Sequence, residues 1–355
     1  MTRCRSSQTK ARSNVGADSV SLKFGLKLDF AHPRLTQAQQ LDRFRELIAV
    51  ADQYGFDSIA MGENHMTGPK WGSTPAPLLL LAALAPTTRM RLGTSATLLT
   101  GWHPLKLAYE AAVLDQISNG HLFLGVGLGP PETARRYSVD RQRIGDYADD
   151  MLAALRALWA GDDGYRGKTL SIEGGLGISP VQPGGPPVWV GGSVQRTVER
   201  AAEWGNGYLG STSQSLDAVA GHGERFREAL TARGKDPSQG VVSSNRLTVV
   251  AGDEEEARRL AEQFAGEVLQ FYARRGAQMP KEPGIASKTP TELIRELQES
   301  RCLIGTPDQV AATAQRYADA GVTHILARVC PHDIPMEHAI RTVELLGKWV
   351  LPRFR

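Results

Sequence analysis

Three polar side chains stand in a row at Glu63, Asn64 and His65, directly after the apolar run FDSIAM at 56–61. Such a run, ended by a glycine, predicts a buried strand. An imidazole at the end of a strand can exchange a proton near neutral pH. Glu63 and His65 share one side of an extended chain, so the carboxylate could hold the imidazole in place. We therefore predict a catalytic role for His65, with Asn64 beside it, and a structural role for Glu63.

A second unusual segment is the strand candidate 90–98, where Ser95, Ala96 and Thr97 replace the bulky aliphatic residues that fill most barrel strands. Small residues allow a flat molecule to approach the backbone, and buried hydroxyl groups are costly unless they are hydrogen-bonded. A heteroaromatic ring with carbonyl and imide edges would satisfy both conditions. Tight helix packing on the outer face of the strand is the alternative, and the composition does not choose between them.

The strand candidate 121–127 runs into three closely spaced glycines, of which Gly127 is the second. A dinucleotide-binding fingerprint requires such glycines to open directly into a helix. Here Pro130 and Pro131 follow instead, so the nucleotide fingerprint is incomplete. We interpret Gly127 as a point where the backbone comes close to a ligand.

The segment 187–205 reads as a strand, a Gly-Gly turn and a helix that begins at Ser193. Free backbone N–H groups and the helix dipole make the start of a helix a site for anions. Gly191, Gly192, Ser193 and Thr197 are therefore candidates for holding a phosphate monoester. An ordinary strand-to-helix turn, capped by Ser193, is the alternative interpretation.

These candidate residues require a scaffold that brings strand ends together, and the chain supplies a regular alternation of strand-like and helical patterns. The strand-like runs are 22–28, 57–62, 90–98, 121–127, 187–192, 206–211, 241–250 and 323–329. Eight such units in 355 residues predict an α/β fold, the (β/α)8 TIM barrel, whose active sites lie at the C-terminal ends of the strands. The first helix should start at a Thr36 cap and end at Gly55. We expect residues 22–355 to form this single barrel domain and residues 1–21 to be a disordered tail.

Two segments rich in glycine and proline interrupt the alternation, 165–187 and 274–294. We interpret both as insertion loops, and place such loops on the C-terminal face of the barrel. Long loops in compact domains are usually functional lids or linkers. The segment 274–294 is therefore a candidate lid over the site, and a solvated connector is the alternative.

Charge and cysteine content exclude several classes of protein. The formal net charge is +3, and the four basic residues and one acidic residue before residue 20 account for all of it. An electrically balanced folded part argues against a nucleic-acid partner. The longest apolar stretch, 76–86, is too short to cross a membrane. Three widely spaced cysteines supply neither a disulfide framework nor a metal site, which fits the cytoplasm.

The chain from about 22 to 352 resembles the bacterial luciferase-like superfamily, which comprises barrel flavin monooxygenases and their deazaflavin-dependent relatives. The matching segments, in the family's order, are GFDSIAMGENHM, TTRMRLGTSATLLTGWHPLKLAYEAAVLDQISNGHLFLGVGLG, PPVWVGGSVQRTVERAAEWGNGYL and IGTPDQVAATAQRYADAGVTHI. The resemblance implies a bound flavin. In the family, a non-proline cis peptide lies under the flavin ring, and it corresponds to Ser95 and Ala96 here. The resemblance also places the family's phosphate contacts on the same Gly191 to Thr197 turn.

Two positions depart from the family's pattern. The family's acidic-His-His motif falls on Glu63, Asn64 and His65, so the first histidine is replaced by an amide. The arginine that assists the phosphate in luciferase corresponds to Leu128. These departures put aldehyde oxidation with light emission in doubt and weaken the case for tight FMN binding.

The resemblance implies an enzyme that uses reduced FMN and dioxygen to oxidise a small organic substrate. With no NAD-binding domain visible in the sequence, a separate flavin reductase would supply the electrons. A deazaflavin coenzyme that transfers hydride is the alternative, and a non-catalytic flavin-binding protein is a third interpretation. We also expect a homodimer.

Overall fold

The computed structural model describes residues 21–29, 32, 34–65, 74–274, 284–331 and 334–355. The strands in these ranges are β1 (Lys23–Leu28), β2 (Ser58–Met61), β3 (Arg91–Leu98), β4 (Leu122–Gly127), β5 (Gly164–Arg166), β6 (Ser171–Glu173), β7 (Val188–Gly191), β8 (Gly207–Gly210), β9 (Val241–Val250), β10 (Cys302–Gly305) and β11 (His324–Arg328). The α-helices are α1 (Gln37–Tyr54), α2 (Pro77–Leu84), α3 (Pro104–Ile117), α4 (Pro131–Arg136), α5 (Ile144–Ala160), α6 (Gln195–Trp204), α7 (Leu216–Thr231), α8 (Glu254–Leu260), α9 (Gly266–Arg274), α10 (Pro290–Arg301), α11 (Pro307–Asp319) and α12 (Met336–Leu345). Helices separate the successive barrel strands, as the sequence predicts. No helix in those ranges has both the length and the apolar character needed to span a lipid bilayer.

Parallel pairing closes the strands into a barrel. Within the described residues the order around the barrel is β1, β2, β3, β4, β7, β8, β9 and β11, and β11 pairs back with β1. In that closing pair, Lys23 lies opposite His324 and Gly25 opposite Leu326. The predicted TIM barrel is confirmed, and each predicted strand agrees with the structure to within one residue at either end.

The first helix shows why local sequence signals predict element ends. The Thr36 side chain accepts a hydrogen bond from the Gln39 backbone, and the Gln39 side chain accepts one from the Thr36 backbone. Gly55 ends the helix with φ of 71°, a left-handed conformation that suits glycine. Both predictions are confirmed, and a cap of this kind contributes about 1 kcal/mol to helix stability.

The lower part of the barrel lumen is filled by apolar side chains. Phe123 and Trp189 stack there with ring centroids 4.1 Å apart, together with Ala60, Leu209 and Leu326. Gly93 makes room for this layer, because a Cβ atom at that position would lie 2.0 Å from the Phe123 ring. Packing of this density fills one end of the lumen, and the candidate site residues lie at the opposite end, where the strands finish.

The predicted loop at 165–187 is partly wrong, because it contains most of a two-stranded antiparallel hairpin, β5 with β6. Asp150 on α5 holds the hairpin: its carboxylate accepts hydrogen bonds from the backbone and hydroxyl of Thr169. Further along, the backbone N–H and side-chain amide of Gln182 donate to Asp115 at the end of α3. Strands of three residues are too short to give a clear periodic pattern, which is why the sequence did not reveal them.

The structure describes only part of the second predicted insertion, 274–294. Residues 275–283 lie outside the described residues, and the candidate lid stays a prediction. From Pro290 onward the chain is helical, so the loop interpretation is wrong there. The strand β10 follows that helix and pairs in parallel with β9 on the outside of the barrel. The predicted tail also lies outside the described residues, except for Ser21, whose hydroxyl donates to the Phe354 carbonyl at 3.4 Å.

Candidate active site

Glu63 follows β2 and connects the end of that strand to β3 and the turn after it. One carboxylate oxygen, Oε2, accepts hydrogen bonds from the Leu98 backbone at 2.8 Å and from Nε1 of Trp102 at 2.9 Å. The other oxygen, Oε1, lies 2.6 Å from Nε2 of His65. The Glu63 backbone N–H donates to the Ala96 carbonyl at 3.0 Å. The predicted structural role of Glu63 therefore has three partners to support it.

Burial decides the electrostatics of this carboxylate. The Glu63 side chain is 2% exposed. Loss of hydration raises the pKa of its carboxyl above the ordinary value, and the hydrogen bonds from Leu98 and Trp102 together with nearby His65 oppose that rise without cancelling it. Glu63 is therefore an anchor that can share a proton with the neighbouring ring.

His65 is enclosed by the turn after β3 and by the residue that follows α4. Its side chain is 9% exposed, and its ring lies 5.3 Å from the ring of Tyr137. A Cβ atom on Gly101 would lie 3.2 Å from His65 Cε1, so the glycine makes room for the imidazole. Within the described part of the chain, Nδ1 of His65 has no hydrogen-bond partner. A buried polar atom without a partner marks a place where a bound molecule could supply the missing hydrogen bond.

Asn64 is held by its backbone. Its N–H donates to the Thr74 carbonyl at 3.0 Å, and its carbonyl accepts from the Thr74 N–H at 2.8 Å. This short antiparallel bridge fixes the chain between Glu63 and His65. A catalytic role for the Asn64 amide stays a prediction.

The small residues of β3 face the lumen and not the outer helices. The Ser95 hydroxyl donates to Oδ1 of Asn245 on β9 at 3.0 Å, a bond that crosses the barrel. The peptide between Ser95 and Ala96 is cis, as predicted. Thr97 is fully buried, and its hydroxyl has no hydrogen-bond partner among the described residues. Because Ser95 is committed to the inside of the barrel, the alternative of outer-face packing does not explain this segment.

Backbone from three strands comes together beside Ala96. A Cβ atom placed on Gly127 would lie 3.6 Å from the Gly191 carbonyl oxygen and 3.9 Å from Cβ of Ala96. Gly192, with φ of 152°, adopts a conformation that favours glycine, and a Cβ there would lie 2.6 Å from the Thr197 hydroxyl. Ala96, Gly127 and Gly191 are therefore close neighbours, and the Gly192 turn leads from them to Thr197.

The predicted helix start at Ser193 is wrong. Helix α6 begins at Gln195 with Val194 as its N-cap, and no side chain caps it. Serine is a favoured N-cap residue. Here, however, Ser193 lies one residue before the N-cap and is exposed. Thr197 does lie in the first helical turn, as predicted.

Two side chains from neighbouring elements hold the turn before α6. The Tyr208 hydroxyl donates to the Gly192 carbonyl at 2.8 Å, and Nε2 of His222 lies 3.1 Å from the Ser193 carbonyl. The carbonyl oxygens of this turn are thus occupied from β8 and α7. A turn held in this way can present its remaining groups to an anion without rearranging.

A charged cluster at the ends of β1 and β11 was not predicted from the sequence. Nζ of Lys27 lies 3.2 Å from Oδ1 of Asp29, and Nε of Arg328 contacts Oδ2 of the same carboxylate. All three side chains are largely buried. The signal available in the sequence was the pattern KLD at 27–29, which puts two charges on one side of an apolar strand. Arg328, 299 residues from Asp29, gave no such signal.

These observations test whether the residues fit a flavin mononucleotide. The side-chain-free surface at Gly127 and Gly191, beside Ala96, suits a flat ring. The Gly192 turn, next to a helix start, suits a phosphate. The fit holds for a ring and an anion placed side by side on this surface.

The chain is similar to several known proteins in sequence and in structure. The family model described as luciferase-like monooxygenase matches residues 22–324. The oxygenase component of flavin-dependent trigonelline monooxygenase from Acinetobacter baylyi is 32% identical over 264 residues, which covers 68% of this chain and 67% of that protein. The F420-dependent glucose-6-phosphate dehydrogenase of Nocardia farcinica is 23% identical over 88% of this chain and 94% of its own. The crystal structure of the monooxygenase RslO1 from Streptomyces bottropensis has a TM-score of 0.78 and 27% identity, covering 94% of this chain and 100% of that one.

Proposed function

Because the chain belongs to the luciferase-like monooxygenase family, we propose that it is a flavin-dependent monooxygenase that uses reduced FMN and dioxygen to oxidise a small organic substrate. A bound flavin would supply the redox chemistry, and the protein would supply binding, orientation and electrostatics. A relative at 32% identity is named as an oxygenase component, which supports a separate flavin reductase as the electron source.

The observation that carries this proposal is a buried, anchored imidazole beside a surface without bulky side chains. Glu63 fixes His65 through Nε2, and Nδ1 is left without a partner in the described residues. The same Glu63 hydrogen-bonds to the strand that contains Ala96. In this arrangement Nδ1 of His65 gives or takes a proton at the substrate while the ring stays fixed.

The cofactor contacts in this proposal divide into two groups. Ser95, Ala96, Thr97 and Gly127 lie against the ring, where backbone and hydroxyl groups meet its polar edge. The turn from Gly191 to Ser193, with Thr197, holds the phosphate at the start of α6. Water is kept from the reacting groups by Tyr137 and Trp102, which lie around His65 and Glu63.

A deazaflavin coenzyme that transfers hydride is the second candidate. Asn64 replaces the first histidine of the family's motif, and a relative with F420 in its name matches most of the chain. Hydride transfer needs no reaction with dioxygen, so the loss of that histidine and the Gly-Gly turn are both compatible with such an enzyme. Failure to turn over any substrate despite stoichiometric flavin would favour the third interpretation, a non-catalytic flavin-binding barrel.

The test is a titration of the purified apoprotein with FMN, with chemically reduced FMN under argon and with the deazaflavin, followed by quenching of cofactor fluorescence or, for reduced FMN, by equilibrium dialysis. The proposal expects saturable binding of reduced FMN and its faster oxidation when air and an accepted substrate are added. Saturation by the deazaflavin alone would establish the second candidate and contradict the first. Binding of none of the three would contradict both.

The proposal includes a homodimer. Leu79 on α2 and Val113 and Ile117 on α3 are exposed by 71%, 43% and 52%, and the two helices are neighbours in the barrel's outer layer. Adjacent exposed apolar side chains are typical of protein interfaces. A second copy of the chain is the partner we assign to this face, and the particle mass from light scattering tests it.

A further inference from the structure

The cluster of Lys27, Asp29 and Arg328 lies near the Ser95 to Ala96 segment of the proposed cofactor surface. Side chains alternate along a strand, so Lys27 and Asp29 point to one side of β1. A Cβ atom built on Gly62 would lie 3.0 Å from Nζ of Lys27 and 3.2 Å from the Ser95 carbonyl oxygen. The Lys27 ammonium group is therefore a neighbour of the Ser95 to Ala96 segment across the end of β2.

The cluster carries more positive than negative charge. Asp29 is shared between Lys27 and Arg328, and in the described residues no second carboxylate lies within ion-pair distance of either cation. Burial alone would raise the pKa of the Asp29 carboxyl, but the charges and hydrogen bonds of Arg328 and Lys27 together hold it below its ordinary value. The carboxylate is thus ionised, and these three groups sum to one positive charge.

That charge is shielded from water. The side chains of Lys27, Asp29 and Arg328 are exposed by 8%, 15% and 9%. Interactions between charges are stronger in such surroundings than at a solvated surface. An anion that binds beside the cluster gains more than a neutral molecule of the same shape.

Resting on the flavin proposal above, we propose that the cluster of Lys27, Asp29 and Arg328 makes the site selective for the reduced, anionic form of the flavin over the neutral oxidised form. Two-electron reduction gives the ring a weakly acidic N–H, whose loss leaves a negative charge on the ring. A positive group near the ring would stabilise that anion. An oxygenase that receives its cofactor already reduced requires this preference, because it must capture reduced FMN and release oxidised FMN.

The experiment compares dissociation constants for FMN and for dithionite-reduced FMN, measured by equilibrium dialysis under argon. Wild type should bind reduced FMN more tightly. Lys27→Met should weaken binding of reduced FMN at least tenfold and leave that of FMN within about threefold. A tenfold change in the ratio equals a fall of about 30 mV in the two-electron potential of bound FMN, which spectroelectrochemistry measures independently.

Three further variants provide controls for size and position. Lys27→Arg keeps the charge and should restore the preference. Asp29→Asn removes the negative charge and should increase the preference for reduced FMN. Lys106→Met removes an exposed cation on α3, 67% exposed, and should change neither constant.

The outcomes separate this inference from the proposed function. Wild-type protein that binds neither FMN nor reduced FMN would contradict the proposed function. A second outcome would overturn the inference alone: the wild type binds both forms, and Lys27→Met and Asp29→Asn leave the ratio of the two dissociation constants unchanged. Should Lys27→Met not fold, as judged by circular dichroism, Asp29→Asn decides the question, because its ratio must move in the opposite direction.

Discussion

At the scale of single residues, Glu63 and His65 have different roles in the candidate site. Glu63 uses both carboxylate oxygens for neighbouring groups, which leaves it no free position for a substrate. His65 keeps one ring nitrogen without a partner in the described residues. The imidazole is therefore the group that can act on a bound molecule, and the carboxylate determines where the imidazole stands.

We expect His65→Ala to lower turnover by ~10²–10⁴, the range found when a positioned acid or base is lost. Affinity for FMN should stay within a few-fold, because the cofactor surface lies on β3, β4 and β7. Steady-state kinetics with an accepted substrate and a binding titration measure the two effects. His121→Ala serves as the matched control, since that histidine is exposed beyond the opposite end of the barrel. Equal losses of affinity and turnover in His65→Ala would make the residue a cofactor anchor instead.

At the scale of elements, the proposed function places the phosphate of the cofactor at the start of α6. The N-terminus of a helix has about half a unit of positive charge, and here a Gly-Gly turn brings unobstructed backbone to it. Ser193 is exposed on this turn, so a new side chain there would not disturb the packing.

Ser193→Asp should weaken FMN binding at least tenfold, about 1.4 kcal/mol, because a second anion would occupy the same concavity. Riboflavin, which lacks the phosphate, should bind the variant and the wild type equally. Ser215→Asp is the control: Ser215 caps α7 through its hydroxyl, and aspartate caps a helix equally well. If riboflavin and FMN lost affinity by the same factor, the phosphate would lie elsewhere.

Element boundaries also show what the sequence could predict. The barrel strands were located to within a residue because each is an apolar run bounded by turn residues, a local property. The hairpin β5 with β6, whose strands have three residues each, fell below the length at which a period is visible. The strand β10 was missed for another reason: it follows the last residue of α10 directly, with no turn residue to mark its start. The pair of Asp29 with Arg328 depends on barrel closure, and no local pattern in the sequence encodes it.

At the scale of the whole molecule, His324 makes stability depend on pH. It lies at the start of β11 near the filled end of the lumen, 5.3 Å from the Trp189 ring. Burial lowers the pKa of its imidazole to about 4 from 6.5, and Asp57 only partly opposes this shift. Between about pH 6.5 and about pH 4, His324 is therefore protonated in the unfolded chain and neutral in the folded chain. Acid consequently favours unfolding.

We expect the free energy of unfolding to fall by roughly 2 kcal/mol from this residue between about pH 7 and about pH 4.5, since each unit of pKa difference corresponds to 1.36 kcal/mol. His324→Gln, which cannot take up the proton, should lose that part of the pH dependence. Urea unfolding at several pH values measures it. Parallel pH profiles for the two proteins would show that His324 does not contribute.

The contact of Asp29 with Arg328 joins the first and the last strand of the barrel. During synthesis Asp29 leaves the ribosome early, and its partner arrives only after nearly three hundred further residues. Until then the positive surplus in the lumen does not exist. If the cluster acts as proposed, selective capture of reduced flavin would therefore be deferred until the ring of strands is complete, and a nascent or clipped chain would not withdraw the cofactor from its supplier.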